Sequence, residues 1–185
     1  MNIPASLQAL YRTFKCLLMI SLLVLTSCTT ISRSQQVNLP RNSAVAILPF
    51  ANNTETVQAD TRAASIVSDL LHIQHVHVMV YPESGDCKQL LECKNTSEKE
   101  RQAIIWARKH NARFTITGSI NEWRYKVGLD GEPSVSITLR IVDLQTKQVV
   151  WSAVGSKVGG SRSGLGDIAQ NLIMEMLTNV HWQSL

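Results

Sequence analysis

Cysteine carries the most chemistry in this sequence. There are four, Cys16, Cys28, Cys87 and Cys93, and their surroundings assign them different fates. Arg12 and Lys15 precede an apolar run from Cys16 to Leu25, which leads directly into Leu25-Thr26-Ser27-Cys28. A basic segment followed by a short apolar one and small residues is a secretory signal, and the run is about half the ~20 residues a membrane-spanning helix needs. The Leu-Thr-Ser-Cys ending matches the bacterial lipobox, in which the cysteine thiol is alkylated by lipid and becomes the first residue of the mature chain. The expectation is removal of residues 1–27 and acylation of Cys28. Several acyl chains at about 0.8 kcal/mol per buried methylene then hold the protein at a membrane essentially permanently.

An exported chain meets an oxidising compartment. With Cys16 removed and Cys28 lipidated, Cys87 and Cys93 remain as a pair, and a disulfide between them is expected, contributing roughly 2 kcal/mol for so short a loop. Two free thiols too far apart to join is the alternative, because sequence does not give the distance. His72, His75 and His77 form a second cluster, with His75 and His77 on one face of an expected strand. No cysteine or acid lies near enough in sequence to complete a tetrahedral zinc site, so surface or interface histidines are the expectation and no metal is assigned. The chain has no His-Glu-x-x-His, Cys-x-x-Cys or Gly-x-Ser-x-Gly, and Gly159 to Gly164 lacks the lysine of a phosphate loop. These observations lower the expectation of an enzyme, with no cofactor beyond the covalent lipid.

Charge adds a further exclusion. The chain carries 18 Lys and Arg against 14 Asp and Glu. Loss of Arg12 and Lys15 with the signal leaves 16 against 14, a net +2. There is no basic run of the kind nucleic-acid binders use, so no nucleic-acid partner is expected.

The elements that position these residues are legible from periodicity. Phe114, Ile116 and Ile120 alternate with polar residues, as do Val135, Ile137, Leu139 and Ile141, and Val149 and Trp151 follow after a turn. Such alternation, broken at Gly128–Pro133 and Asp143–Lys147, predicts an antiparallel meander over Phe114–Val158. Its apolar phase changes after Ile120: Trp123, Tyr125 and Val127 are odd-numbered. Either a bulge near Asn121 keeps both aromatics in the core, or the strand outgrows its sheet and aims Trp123 and Tyr125 at a partner or the membrane. Ala44–Phe50 reads as a central buried strand. A helix capped by Asp60 or Thr61 carries Ala63, Ile66, Val67, Leu70 and Leu71, and a strand over about Val76–Tyr81 follows. Further helices are expected over Ser97–His110 and Leu165–Leu177. The polar stretch after the anchor reads as a flexible tether spanning residues 28–42. The whole is one α/β domain over residues 43–185, a mixed β-sheet ending in an antiparallel meander and packed with three amphipathic helices.

The run Glu122-Trp123-Arg124-Tyr125-Lys126-Val127-Gly128-Leu129-Asp130-Gly131-Glu132-Pro133, preceded by Thr117-Gly118-Ser119 and followed by Val150-Trp151-Ser152-Ala153, resembles the PelC family of outer-membrane lipoproteins. The similarity spans Val45 to about Leu177. It implies a non-enzymatic lipoprotein that forms a homo-oligomeric ring under the outer membrane and guides a cationic exopolysaccharide to the β-barrel porin PelB. Thr29 stands where inner-membrane lipoproteins have Asp, and resemblance to those sorting signals implies the periplasmic face of the outer membrane. In such a ring Asp130 and Glu132, at the Asp-Gly turn, would be repeated around the axis and face the polysaccharide. The small residues around Gly160 depart from the aromatic the family often has there, so the membrane contact that the resemblance would imply at this loop is not carried over to this chain. A second resemblance, to LpoB-type lipoprotein activators of a peptidoglycan synthase, implies a regulatory binding module instead.

Overall fold

The computed structural model describes residues 29–82, 96–128 and 131–183, with residues 11, 12, 14 and 15 near the N-terminus. Its elements are β1 (Thr29–Arg33), β2 (Val37–Pro40), β3 (Val45–Ile47), β4 (Ala51–Asn52), α1 (Ala59–Ile73), β5 (Val78–Val80), α2 (Thr96–Lys109), β6 (Phe114–Tyr125), β7 (Pro133–Asp143), β8 (Gln148–Val158), α3 (Leu165–Leu177) and β9 (Val180–Gln183). The expected meander is β6, β7 and β8, three long strands paired antiparallel in succession. They form the centre of a seven-stranded mixed sheet of order β1-β8-β7-β6-β3-β5, with β4 also pairing β6. The β3 strand is parallel to both β5 and β6, as the strand-helix-strand order requires of a crossover. The α/β class and the three helices follow the expectation.

One face of the sheet builds the main core. Ile116, Ile120, Ile137, Leu139, Ile141 and Trp151 point into it, against Leu172, Ile173 and Met176 of α3 and Val67 and Leu71 of α1. Each large apolar side chain buried there contributes about 1.5–3 kcal/mol relative to exposure. Close approach of α3 depends on Gly155: a Cβ there would lie 2.8 Å from Leu172 Cδ1 and 2.9 Å from Met176 Sδ. On the opposite face α2 covers only the β3 end, where Ala46, Leu48, Ala103, Ala107 and Leu144 form a smaller cluster joined by Trp106 and Tyr81. Tyr81 and Trp106 meet edge to face at 5.5 Å.

Two expectations are corrected here. The flexible tether of residues 28–42 is not a tether over its described part. Thr29–Arg33 pairs antiparallel with β8, and Val37–Pro40 pairs parallel with β9 in a separate two-stranded sheet. The open edge of β8 takes up β1, satisfying a row of backbone groups that would otherwise face solvent. Leu39 is buried, and Ile31 and Val37 pack against the core, so the scattered apolar residues of this stretch are its contact side. The second correction is the start of α1. Its cap is Gln58 in the left-handed region (φ 60°) with no side-chain cap bond, and Asp60 lies inside the first turn, where its charge suits the helix dipole.

Candidate functional site

Register decides where the sequence-selected residues sit. In β6 the pairing with β7 shifts between Ile120 and Glu122, so the bulge falls at Asn121. The bulge returns Trp123 to the core face in a row with Val135, Lys157 and Thr29. Trp123 is 2% exposed and is therefore corrected as a partner or membrane contact: its ring is core. Tyr125 is half exposed and Val127 fully so, both leading into the hairpin tip. In that tip the Lys126 N–H donates to the Glu132 carbonyl at 2.7 Å, Gly131 has φ 52°, and Glu132 is exposed. Asp130 lies outside the described residues, as do Cys28, Cys87 and Cys93. The residue after Cys28 is described: Thr29 is paired with Lys157 at the end of the sheet that carries the hairpin.

This edge is clamped to α3. Arg33 donates from Nη1 to the Glu175 carbonyl at 2.5 Å and to Thr178 Oγ1 at 2.6 Å, supplying a cation at the C-terminal end of the helix. Lys157 pairs with Glu175. Asn179 donates to the Ser34 carbonyl at 2.8 Å and accepts from Trp151 Nε1 at 3.0 Å.

The three histidines do not converge. His72 ends α1, His75 sits in the turn with φ 59°, and His77 precedes β5. Among the described residues, no group of three or more His, Cys, Asp or Glu is placed to hold a metal ion.

The face of β6–β8 that α2 leaves uncovered was not singled out by sequence reasoning. Its cross-strand rows are Thr117–Arg140–Ser152, Ser119–Thr138–Val154 and Glu122–Ser136–Ser156, so hydroxyls dominate it. A groove of about 420 Å³ runs between this face, the β4 loop and the first turns of α1 and α2. Thr117, Ser119, Thr138 and Arg140 line its floor, while Asp60 and Glu100 contribute carboxylates to its walls. A second groove of about 580 Å³ continues past Asn53 toward Glu122 and Ser136. Amides join the two: Asn53 Nδ2 donates to Asn121 Oδ1 at 3.0 Å, and Asn121 Nδ2 to Thr138 Oγ1 at 3.2 Å. Glu122 accepts from Ser134 Oγ at 2.7 Å and Arg124 Nε at 3.0 Å. The Ser134 bond leads in lowering its pKa below the ordinary value, against partial burial and with help from Arg124 and Lys126. The signal in the sequence was the polar half of each strand's alternation, which period-two reading assigns to solvent without further comment.

The fold is shared with solved structures. A Leu-to-Met variant of the PelC dodecamer from Paraburkholderia phytofirmans matches with TM-score 0.71 and 35% identity, over 84% of this chain and 100% of that one. A second crystal form of the PelC dodecamer from the same organism matches with TM-score 0.71 and 34% identity, over 85% and 100%. The chain belongs to the PelC family. The family model described as peptidoglycan-synthase activator LpoB also matches, over residues 21–156, so this PelC-family chain carries that family's domain as well. Lipoprotein GNA1162 from Neisseria meningitidis matches at 14% identity and TM-score 0.54, over 74% and 99%, a likeness of fold alone. No curated protein matches the sequence.

Proposed function

We propose that this PelC-family chain is a non-enzymatic lipoprotein of Pel exopolysaccharide export. It forms a homo-oligomeric ring at the periplasmic face of the outer membrane and guides a cationic polysaccharide to its porin, PelB. The observation that carries this reading is the likeness to PelC dodecamers at 35% identity over their full length. Among the described residues no helix is long and apolar enough to cross a membrane. In this reading the lipid on Cys28 makes the attachment. With Thr29 already paired in the sheet, the acyl chains leave from the sheet edge itself. The end bearing Tyr125, Val127 and the hairpin tip then lies against the bilayer and the porin. Repeated around a ring, Asp130 and Glu132 at that tip sum to a negative field that draws the cationic chain toward the exit, and salt weakens it.

The LpoB family match supports a second reading, a lipid-anchored activator of a peptidoglycan synthase. Particle size separates the two. The acylated protein, extracted from membranes in mild detergent and measured by native mass spectrometry, should be a closed assembly of many copies. A single copy that copurifies with a cell-wall synthase would favour the second reading.

A further inference from the structure

Neither anchoring nor the hairpin tip involves the end of the molecule opposite Thr29. Thr29 shares the row of Trp123, near the top of β6, whereas Phe114 opens that strand and pairs with Asp143. The two rows are nine residues apart along β6, about 30 Å at ~3.3 Å per residue. The far end gathers cations. Arg108 Nη2 reaches the Leu144 carbonyl at 3.4 Å, and Lys147 lies in the β7–β8 turn with its N–H on the Asp143 carbonyl at 2.7 Å. Asp143 is engaged by Arg113 at 3.0 Å, while Arg41, Arg108, Lys109 and Lys147 form no ion pair with any described residue.

A groove of about 350 Å³ opens here between the turn after α1 and β9, within the ~300–1,000 Å³ range of ligand sites. Arg41, Gln74, His75, His181, Trp182 and Gln183 line it, and among the described residues no carboxylate does. Arg41 is held against β9 by donation from Nη2 to the Trp182 carbonyl at 3.0 Å, which uses one of the donors of its guanidinium fork. His75 takes the left-handed position (φ 59°) that closes α1 and that glycine usually fills. The N–H groups of His75 and Val76 donate to the His72 and Leu71 carbonyls at 2.9 and 3.1 Å, so two of the carbonyls that make a helix end repel anions are already engaged. Trp182 keeps its Nε1 buried without a hydrogen-bond partner among the described residues. The guanidinium and this orphaned indole N–H are both donors, the complement of an anionic acceptor.

We propose that this groove binds carboxylates of the cell-wall peptidoglycan. The proposal rests on the export reading for one point: lipid on Cys28 sets the Thr29 end at the membrane, so the far end faces the cell wall. Peptidoglycan stems present carboxylates on a fixed polymer, and a planar guanidinium recognises a carboxylate through paired N–H donors. One exposed contact of this kind is weak. Repeated around a ring, such contacts with a single polymer sheet sum to a firm attachment. The same positive charge turns a cationic polysaccharide away from this end.

The test pellets the acylated protein, held in mild detergent, with purified peptidoglycan sacculi, and repeats the measurement with sacculi whose carboxylates have been amidated. The parent chain should pellet with intact sacculi and stay in solution with amidated ones, a comparison that needs no variant. Arg41→Gln with His181→Asn should weaken pelleting about three-fold or more, as expected of lost exposed ion pairs. Arg41→Lys, which keeps the charge, should weaken it less. Equal pelleting with both kinds of sacculi, or by the parent and the double variant, would overturn the proposal. So would binding to soluble poly-glutamate without binding to sacculi, which assigns the groove to an acidic protein segment instead. Native mass spectrometry of the same sample keeps the two readings apart. A many-copy assembly that ignores sacculi removes this site and leaves the export reading standing, whereas a single copy that pellets with intact but not amidated sacculi keeps the site and loses the ring.

Discussion

Thr29 lies directly opposite Lys157 in the antiparallel pair of β1 and β8, so the first residue after the expected lipidated cysteine is already part of the sheet. In the proposed reading, with lipid on Cys28, the consequence is mechanical: the anchor would fix the orientation of the domain as well as its location. Insertion of a six-residue Gly-Ser linker between Cys28 and Thr29 should leave melting temperature within about a degree, because every native pairing is kept. Polymer export should fall, since a flexible linker of n residues lets the hairpin end stand off by about 5–6 Å × √n. Unchanged export by the linker variant would show that orientation through β1 does not matter.

Arg33 and α3 give a stability test of the same edge. Arg33→Ala removes two charged hydrogen bonds at the C-terminal end of the helix, both at an exposed side chain, and should cost about 1 kcal/mol in a urea unfolding curve. A midpoint identical to that of the parent chain would mean that β1 is not clamped there.

Gly118 of β6 lies opposite Leu139 of β7. A Cβ at this position would lie 2.3 Å from the Thr138 carbonyl oxygen, a backbone atom that cannot move aside without breaking the ladder. Gly118→Ala should therefore destabilise by about 1–3 kcal/mol, measurable as a lowered urea midpoint. A neutral effect would show that the strands separate more easily than their register implies.

How much of this was legible in the sequence depends on how local each signal is. The meander and α3 were readable because alternation and helical spacing are written within a dozen residues, and Leu165–Leu177 matches its expected helix end to end. Trp123 was ambiguous because phase alone does not say whether a strand outgrows its sheet; only pairing with Val135 settles it. The strands β1, β2 and β9 were missed because they are four or five residues long and are stabilised by partners far along the chain. Ser34, for example, bonds to Ser152. The polar groove was missed for the same reason, since Asp60, Glu100 and Thr138 meet only after the sheet has formed.

Asp143 offers a pH test. Burial works against its charged form, but the Arg113 guanidinium at 3.0 Å and the N–H groups of Gln145 and Thr146 outweigh it, so its pKa is held below the ordinary 3.8. A carboxylate depressed in the folded state adds stability that is fully present above the ordinary value and is lost as pH falls through the folded one. Thermal melts from pH 7 to pH 2 should show the parent chain losing stability below about pH 4, with the Asp143→Asn variant less stable at neutral pH and flatter in that window. Parallel curves would remove Asp143 from the acid response.

The covalent expectations are tested by mass. Cys28→Ala should give an unprocessed precursor, or a form lacking acyl mass that no longer sediments with the outer membrane. A non-reduced digest of the parent protein should contain one peptide joined through Cys87 and Cys93. Quantitative alkylation of both thiols without reductant would rule that bridge out.

The most direct measurement is polymer export in cells that make the Pel polysaccharide but lack this protein. The account predicts that surface polymer is lost while the porin and polymer synthesis persist. The acylated chain should restore it, and Asp130→Asn with Glu132→Gln should assemble normally yet restore it only in part. Undiminished export without the protein, together with weakened cell-wall cross-linking, would contradict the account.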